Sequence, residues 1–182
     1  WIMDTQQLLK GSIRRGIILF MIPLFFSNLF QTLYNTVDTV LIGYFLGDSS
    51  LAAMGAVTAL FDLIVGFCTG FGQGFGIIAG QCFGAADEKK LKHATGLSVI
   101  LSALVSLAVS AAALLGMPFL LNLLQTPAEI YSQSLSYITI IAAALIITMF
   151  YNLCAGMLRA VGDSITPLVI LFISALINIV LD

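Results

Sequence analysis

Four polar side chains recur within one apolar stretch: Asn28, Gln31, Asn35 and Asp38, spaced 3, 4 and 3 residues apart. At about 100° of helical rotation per residue they fall inside an arc of about 80° on one face. A second narrow stripe, Ser174, Asn178 and Asp182, repeats every fourth residue near the end of the chain. An ionisable group inside a membrane span costs about 2.5–3.5 kcal/mol on insertion scales, which makes Asp38, Asp62 and Asp182 functional candidates by default. A carboxyl in a poorly hydrated cavity beside a second carboxyl has its charged form disfavoured by desolvation and by like charge, and so becomes a reversible proton site. The competing reading is that the two stripes lock helices together by hydrogen bonds. No nucleophile, base or metal-ligand cluster accompanies the stripes. His93 sits in the polar run DEKKLKH, and Cys68, Cys82 and Cys154 lie in apolar runs without zinc-site or disulfide spacing, as packing residues do.

The elements that must position these groups are membrane spans. Of 182 residues 60% are hydrophobic and 9% charged, and mean hydropathy is +1.09, far from the mixture of a soluble domain. Net charge is −2, which leaves no basic footprint for nucleic acid. A bilayer core needs roughly 20 apolar residues per helix. Five windows qualify, at about residues 16–45, 51–83, 94–115, 130–158 and 165–182. The fold class expected is therefore all-α and polytopic. The fifth window stops without a polar flank and the chain begins at Trp1, so the reading is a fragment of a longer membrane protein. Lys10, Arg14 and Arg15 precede the first window, Lys89, Lys90 and Lys92 separate the second and third, and Arg159 follows the fourth. Positive charge collects on the cytoplasmic side, so the N-terminus is expected inside, with windows one, three and five running outward. At 1.5 Å per residue Asp38 then lies about 30 Å from Arg15, and Asp182 about 25 Å from the start of its span, both toward the outer leaflet.

Smaller signals complete the reading. Asp62 has Thr58 and Thr69 as approximate same-face neighbours, and its role stays open between cavity lining and a structural acid. Tyr34, Tyr151 and Asn152 are candidates for a substrate path, with helix packing as the commoner use of such residues. Gly66, Gly70 and Gly74 form one GxxxG series and Gly72, Gly76, Gly80 and Gly84 another, which allows close helix approach. Pro23 interrupts the backbone ladder of the first span and permits a bend there.

The segments IPLFFSNLFQTLYNTVDTVLIGYFLGDSSLAAMGAV, GQCFGAADEKKLKHA, LRAVGDSITP and NIVLD stand in the order and spacing of one family. From about Gly11 to Asp182 the chain resembles the N-terminal half of a prokaryotic multidrug and toxic compound extrusion (MATE) transporter. The resemblance implies twelve helices in two pseudo-symmetric lobes, of which this chain would hold five, leaving the sixth helix and the C-terminal lobe as missing partners. By the same resemblance Asp38 matches the first-helix acid that takes up H+ or Na+. Asn178 and Asp182 match its fifth-helix partners, Gln31 a polar cavity residue, and Pro23 the proline about which the first helix bends. Asn28, Tyr34, Asn35 and Asn152 complete the expected cavity lining. GQCFGA departs from the commoner AQ..GA by a small-for-small change.

The function implied is antiport across the cell membrane: amphipathic, often cationic compounds leave in exchange for H+ or Na+, without cofactor or covalent chemistry. Two alternatives remain. A lipid-linked oligosaccharide flippase of the same superfamily would want arginine in its cavity, whereas no expected span contains Lys or Arg. A non-transporting membrane scaffold would make Asp38 matter for stability alone.

Overall fold

The computed structural model describes residues 13–181, and of residues 13, 15 and 178–181 the backbone only. Every element among the described residues is helical: α1 (Ile13–Gly84), α2 (Glu88–Leu123), α3 (Ala128–Ala143), α4 (Leu145–Ala160) and α5 (Ile165–Leu181). A straight helix of 72 residues would be about 108 Å long. It is not straight, because Gly47 leaves helical geometry at φ 80°, ψ 178°, a conformation open essentially to glycine alone. Asp38 before the break lies within electrostatic reach of Tyr137 on α3. Ala53 after the break accepts a hydrogen bond from Ser134 on the same helix. Residues on either side of Gly47 thus reach the same level of α3, and the chain reverses there. The LGDSS interruption between the first two expected spans is this single-residue reversal.

The limb 48–84 runs parallel to α3 and α4. Ala53 meets Ser134, and Gly72, Gly76 and Gly80 face Asn152, Gly156 and Ala160 in turn. The shared direction is the one expected of alternate spans. Along this seam a Cβ on Gly76 would lie 2.8 Å from the Gly156 carbonyl oxygen, and one on Gly72 would collide with the Asn152 carbonyl. The other series behaves differently: a Cβ on Gly66, Gly70 or Gly74 meets nothing within 4 Å.

The window expected as one span at 130–158 consists of two helices that meet at Ala144 with a bend of 48°. No proline stands at the joint. The Ser110 hydroxyl of α2 donates to the Ala142 carbonyl at 2.6 Å, and the Ile147 N–H reaches Ala144, three residues back rather than four. A side chain entering the backbone ladder is an established cause of a kink, and hydroxyls can satisfy carbonyls that such breaks release.

The core lies between the limb 48–84, α2 and the broken span, where Val57, Ile64, Cys68, Leu121, Ile138 and Met149 are buried. Large apolar side chains also cover much of the outer surface, with Phe25, Tyr44, Leu115 and Ile147 all more than half exposed. An exterior of this kind suits lipid, not water.

Candidate functional site

The site begins with the first limb of α1, which stays helical through Pro23. Pro23 leaves its own nitrogen without a hydrogen, and its carbonyl accepts the Ser27 hydroxyl at 2.9 Å. Four residues of backbone after the proline are thus tied together, while the turn before it lacks the bond that would reach the Leu19 carbonyl. Beyond it Asn28, Gln31 and Asn35 are exposed, Tyr34 and Asp38 half-buried. The carboxylate is the polar group of the stripe that sits deepest against the protein.

Opposite Asp38 stands a residue that sequence reasoning missed. Tyr137 on α3 is half-buried, and both Asp38 and Tyr34 act electrostatically on its phenol. Two phenols and one carboxyl thus share one neighbourhood. In the sequence Tyr137 lies in SLSYITI, where an aromatic residue reads as a packing group; only the reversal at Gly47 brings it to Asp38. Beside Tyr137, toward the reversal, a recess of about 310 Å³ opens between α1 and α3. Ile42, Leu46, Met54 and Ile140 supply its apolar lining, and Ser50, Gln133, Ser136 and Tyr137 its polar groups.

The second expected stripe lies on α5. Phe172 of that helix packs edge-on against Phe30 of α1, with ring centroids 5.5 Å apart, so the helices that carry the two stripes are neighbours. Ser174 is exposed. The Asn178 side chain and the whole of Asp182 lie outside the described residues. Asn152 stands deeper, on α4. It accepts from the Thr69 hydroxyl at 3.3 Å and donates to the Thr148 carbonyl at 2.8 Å. It therefore belongs to the glycine seam, on a different part of the molecule from the Asp38 group. Tyr151 beside it is partly exposed and within electrostatic reach of Arg159.

Arg159 requires a correction. It does not follow the fourth span in a loop but occupies the last turn of α4, half-buried, with Nε buried and unpartnered among the described residues. The chain turns just after it. Gly162 adopts φ 93°, and the amides of Gly162 and Asp163 bond the carbonyls of Arg159 and Leu158, the glycine-terminated helix end of a Schellman motif. Asp163 then caps α5, its carboxylate accepting from the N–H groups of Ile165 and Thr166 and from the Thr166 hydroxyl at 2.6 Å. Partial burial pushes this carboxyl up, but the Thr166 and Ile165 hydrogen bonds outweigh that and hold it below the usual carboxylate value.

Taken together, the geometry can hold a proton or small cation at Asp38 and an apolar molecule in the adjoining recess. The chain has recognisable relatives among known proteins. The MatE family model matches residues 23–182. The "Probable multidrug resistance protein YoeA" of Bacillus subtilis (strain 168) is 33% identical over 180 residues, which are 97% of this chain and 38% of that protein. A structure described as MATE in the straight conformation superposes with a TM-score of 0.90 at 28% identity, covering 100% of this chain and 40% of the other. A MOP superfamily transporter from Pyrococcus furiosus, for which reverse polarity of the binding pocket is said to suggest a different function, gives a TM-score of 0.91 at 27% identity, over 99% and 40%. This chain spans about two fifths of the length of these proteins.

Proposed function

The chain belongs to the MatE family, and from that premise we propose that it is the N-terminal lobe, less its sixth helix, of a cell-membrane antiporter. In this reading the N-terminus is cytoplasmic, and amphipathic, often cationic compounds are exported in exchange for H+, with Na+ as the other possible coupling ion. The observation that carries the reading is Asp38: a half-buried carboxyl on a polar helix face inside an apolar span, set among Tyr34 and Tyr137. A proton entering from outside neutralises it and changes what the stripe can bond. The first limb of α1 then bends at Pro23, where the ladder already lacks a bond, and the exported compound is released outward. Asn178 and Asp182 act as partners of Asp38 from α5, and Asn28, Gln31, Tyr34, Asn35 and Asn152 line the cavity.

The energetics suffice. One charge moving through 100 mV is worth about 2.3 kcal/mol, and about 1.4 kcal/mol corresponds to tenfold, so one proton supports a gradient of about fortyfold in a neutral compound. A monocation exchanged one for one moves no net charge and is driven by the pH difference alone, about tenfold per pH unit. Few fixed polar groups in an apolar recess favour a range of bulky compounds over one exact ligand.

Reconstitution of the complete transporter in liposomes tests this. An imposed pH gradient is expected to drive tetraphenylphosphonium against its concentration gradient. A response to a Na+ gradient alone would move the coupling assignment to Na+, and no response to either would remove the antiport reading. A second reading, translocation of anionic lipid-linked oligosaccharides, has one observation in its favour, the unpartnered Nε of Arg159 at the end of α4. Transport of an anionic lipid in the same liposomes, lost in Arg159→Gln, would select it.

A further inference from the structure

Asp62 has no part in the coupling scheme. It stands 15 residues after Gly47 and 22 before Gly84, about 22 Å and 33 Å along the helix from the two ends, within a stretch apolar enough to cross a membrane. It is exposed, and among the described residues it has neither a hydrogen bond nor an ion pair. The core-facing side of this limb is occupied by Val57, Leu60, Ile64 and Cys68, and helical rotation turns Asp62 away from them.

It is not alone on its side. Thr58, Asp62, Thr69 and Gln73, spaced 4, 7 and 4 residues apart, share an arc of about 60°. Gln73 is exposed and, among the described residues, also without a hydrogen-bond partner. Thr69 ties the arc to Asn152 of α4 through its 3.3 Å hydrogen bond, and Gly66 leaves the space next to Asp62 open. A carboxylate turned to lipid is strongly disfavoured. In a water-filled cleft the same carboxylate stays ionised and, with low-dielectric walls around it, draws cations toward itself.

We propose that Asp62, with Thr58 about one turn before it and Thr69 about two turns after it on the same face, receives the cationic centre of the transported compound, an organic monocation with apolar substituents, while Asp38 serves the coupling ion. The assignment rests on the transporter reading above and deepens it. Because the two acids stand on opposite limbs of α1, a bound cation at Asp62 need not displace a proton from Asp38.

Equilibrium dialysis of the purified complete transporter tests the proposal with two probes, cationic tetraphenylphosphonium and neutral triphenylphosphine oxide. Asp62→Asn is expected to weaken the cation by about tenfold or more and to leave the neutral compound within about twofold, because only the charge interaction is removed. Asp62→Glu retains cation binding, and Asp38→Asn does not abolish it. Unchanged cation binding in Asp62→Asn overturns the proposal, as does equal weakening of both probes, which marks a structural acid paired elsewhere in the protein. Should Asp62→Asn fail to fold, Thr58→Glu supplies the converse: a second negative charge one turn from Asp62 on an exposed position strengthens the cation selectively, and no selective gain overturns the proposal. Wild-type protein that binds neither probe defeats the transporter reading itself, a result distinct from the loss of this site.

Discussion

Replacing Gly72 by Ala adds one methyl group where two helices touch backbone to backbone. The new Cβ would fall on the Asn152 carbonyl, 2.6 Å from its carbon, while Gly156 meets Gly72 from the other side with the same intolerance. Carbonyl groups in a helix cannot rotate aside, so the limb 48–84 and α4 must separate by several tenths of an ångström. Overpacking of this kind costs about 1–3 kcal/mol. The same substitution also relieves glycine's poor helix propensity, a gain of about 1 kcal/mol. Gly70→Ala isolates that gain, because its Cβ meets nothing within 4 Å. Propensity cancels between the two variants, and their difference is the overpacking alone. Purified complete transporter carrying Cys82→Ser and Cys154→Ser would be heated with a thiol-reactive dye that reports exposure of the buried Cys68. Gly72→Ala should melt several degrees below Gly70→Ala, and its Thr69–Asn152 contact should open. Equal melting, or a larger loss at Gly70, would refute the seam.

Three further outcomes follow from the same geometry. Gly47→Ala keeps open space around the side chain but forces φ 80°, ψ 178° on a residue with a Cβ, a strain of about 1–3 kcal/mol, visible as reduced thermal stability that Gly47→Asn does not restore. Ser110→Ala removes the hydroxyl from Ala142 at the joint of α3 and α4 and should cost about 1 kcal/mol, with Ser110→Thr recovering it; full stability of the alanine variant would contradict the role given to that bond. Asp163→Ala removes the cap of α5 at about 1 kcal/mol. Because the Asp163 carboxyl is held below its usual value, its contribution is complete above the unfolded-state value and disappears as pH falls through the folded one, so wild type and variant should converge in stability in acid and differ at neutral pH.

Much of this arrangement is legible in the sequence, and the failures have a common cause. The spans follow from run length against bilayer thickness, the reversal from a glycine beside Asp48 and two serines, and the Asp38 face from local periodicity. The helix end and Asp cap at VGDS are also local, contained in consecutive residues, although sequence reasoning did not single them out. The joint at Ala144 is different: LSYITIIAAALIITMF carries neither proline nor glycine, and the bond at the break comes from Ser110, on another helix. Tyr137 is likewise invisible as a site residue until the chain has folded back at Gly47. Both glycine series on the limb 48–84 have the spacing of a packing face, and only the position of α4 selects Gly72, Gly76 and Gly80. Where the partner is distant in sequence, local pattern offers two answers and tertiary packing chooses.

The central claim is that Asp38 carries the coupling proton. Everted membrane vesicles containing equal amounts of the complete wild-type or Asp38→Asn transporter, with an acidified lumen, test it most directly: an amphipathic cationic dye is added and proton release from the lumen is followed. Release triggered by the dye in wild type and absent in Asp38→Asn is the predicted result. Equal dye-triggered release in the two proteins would contradict it.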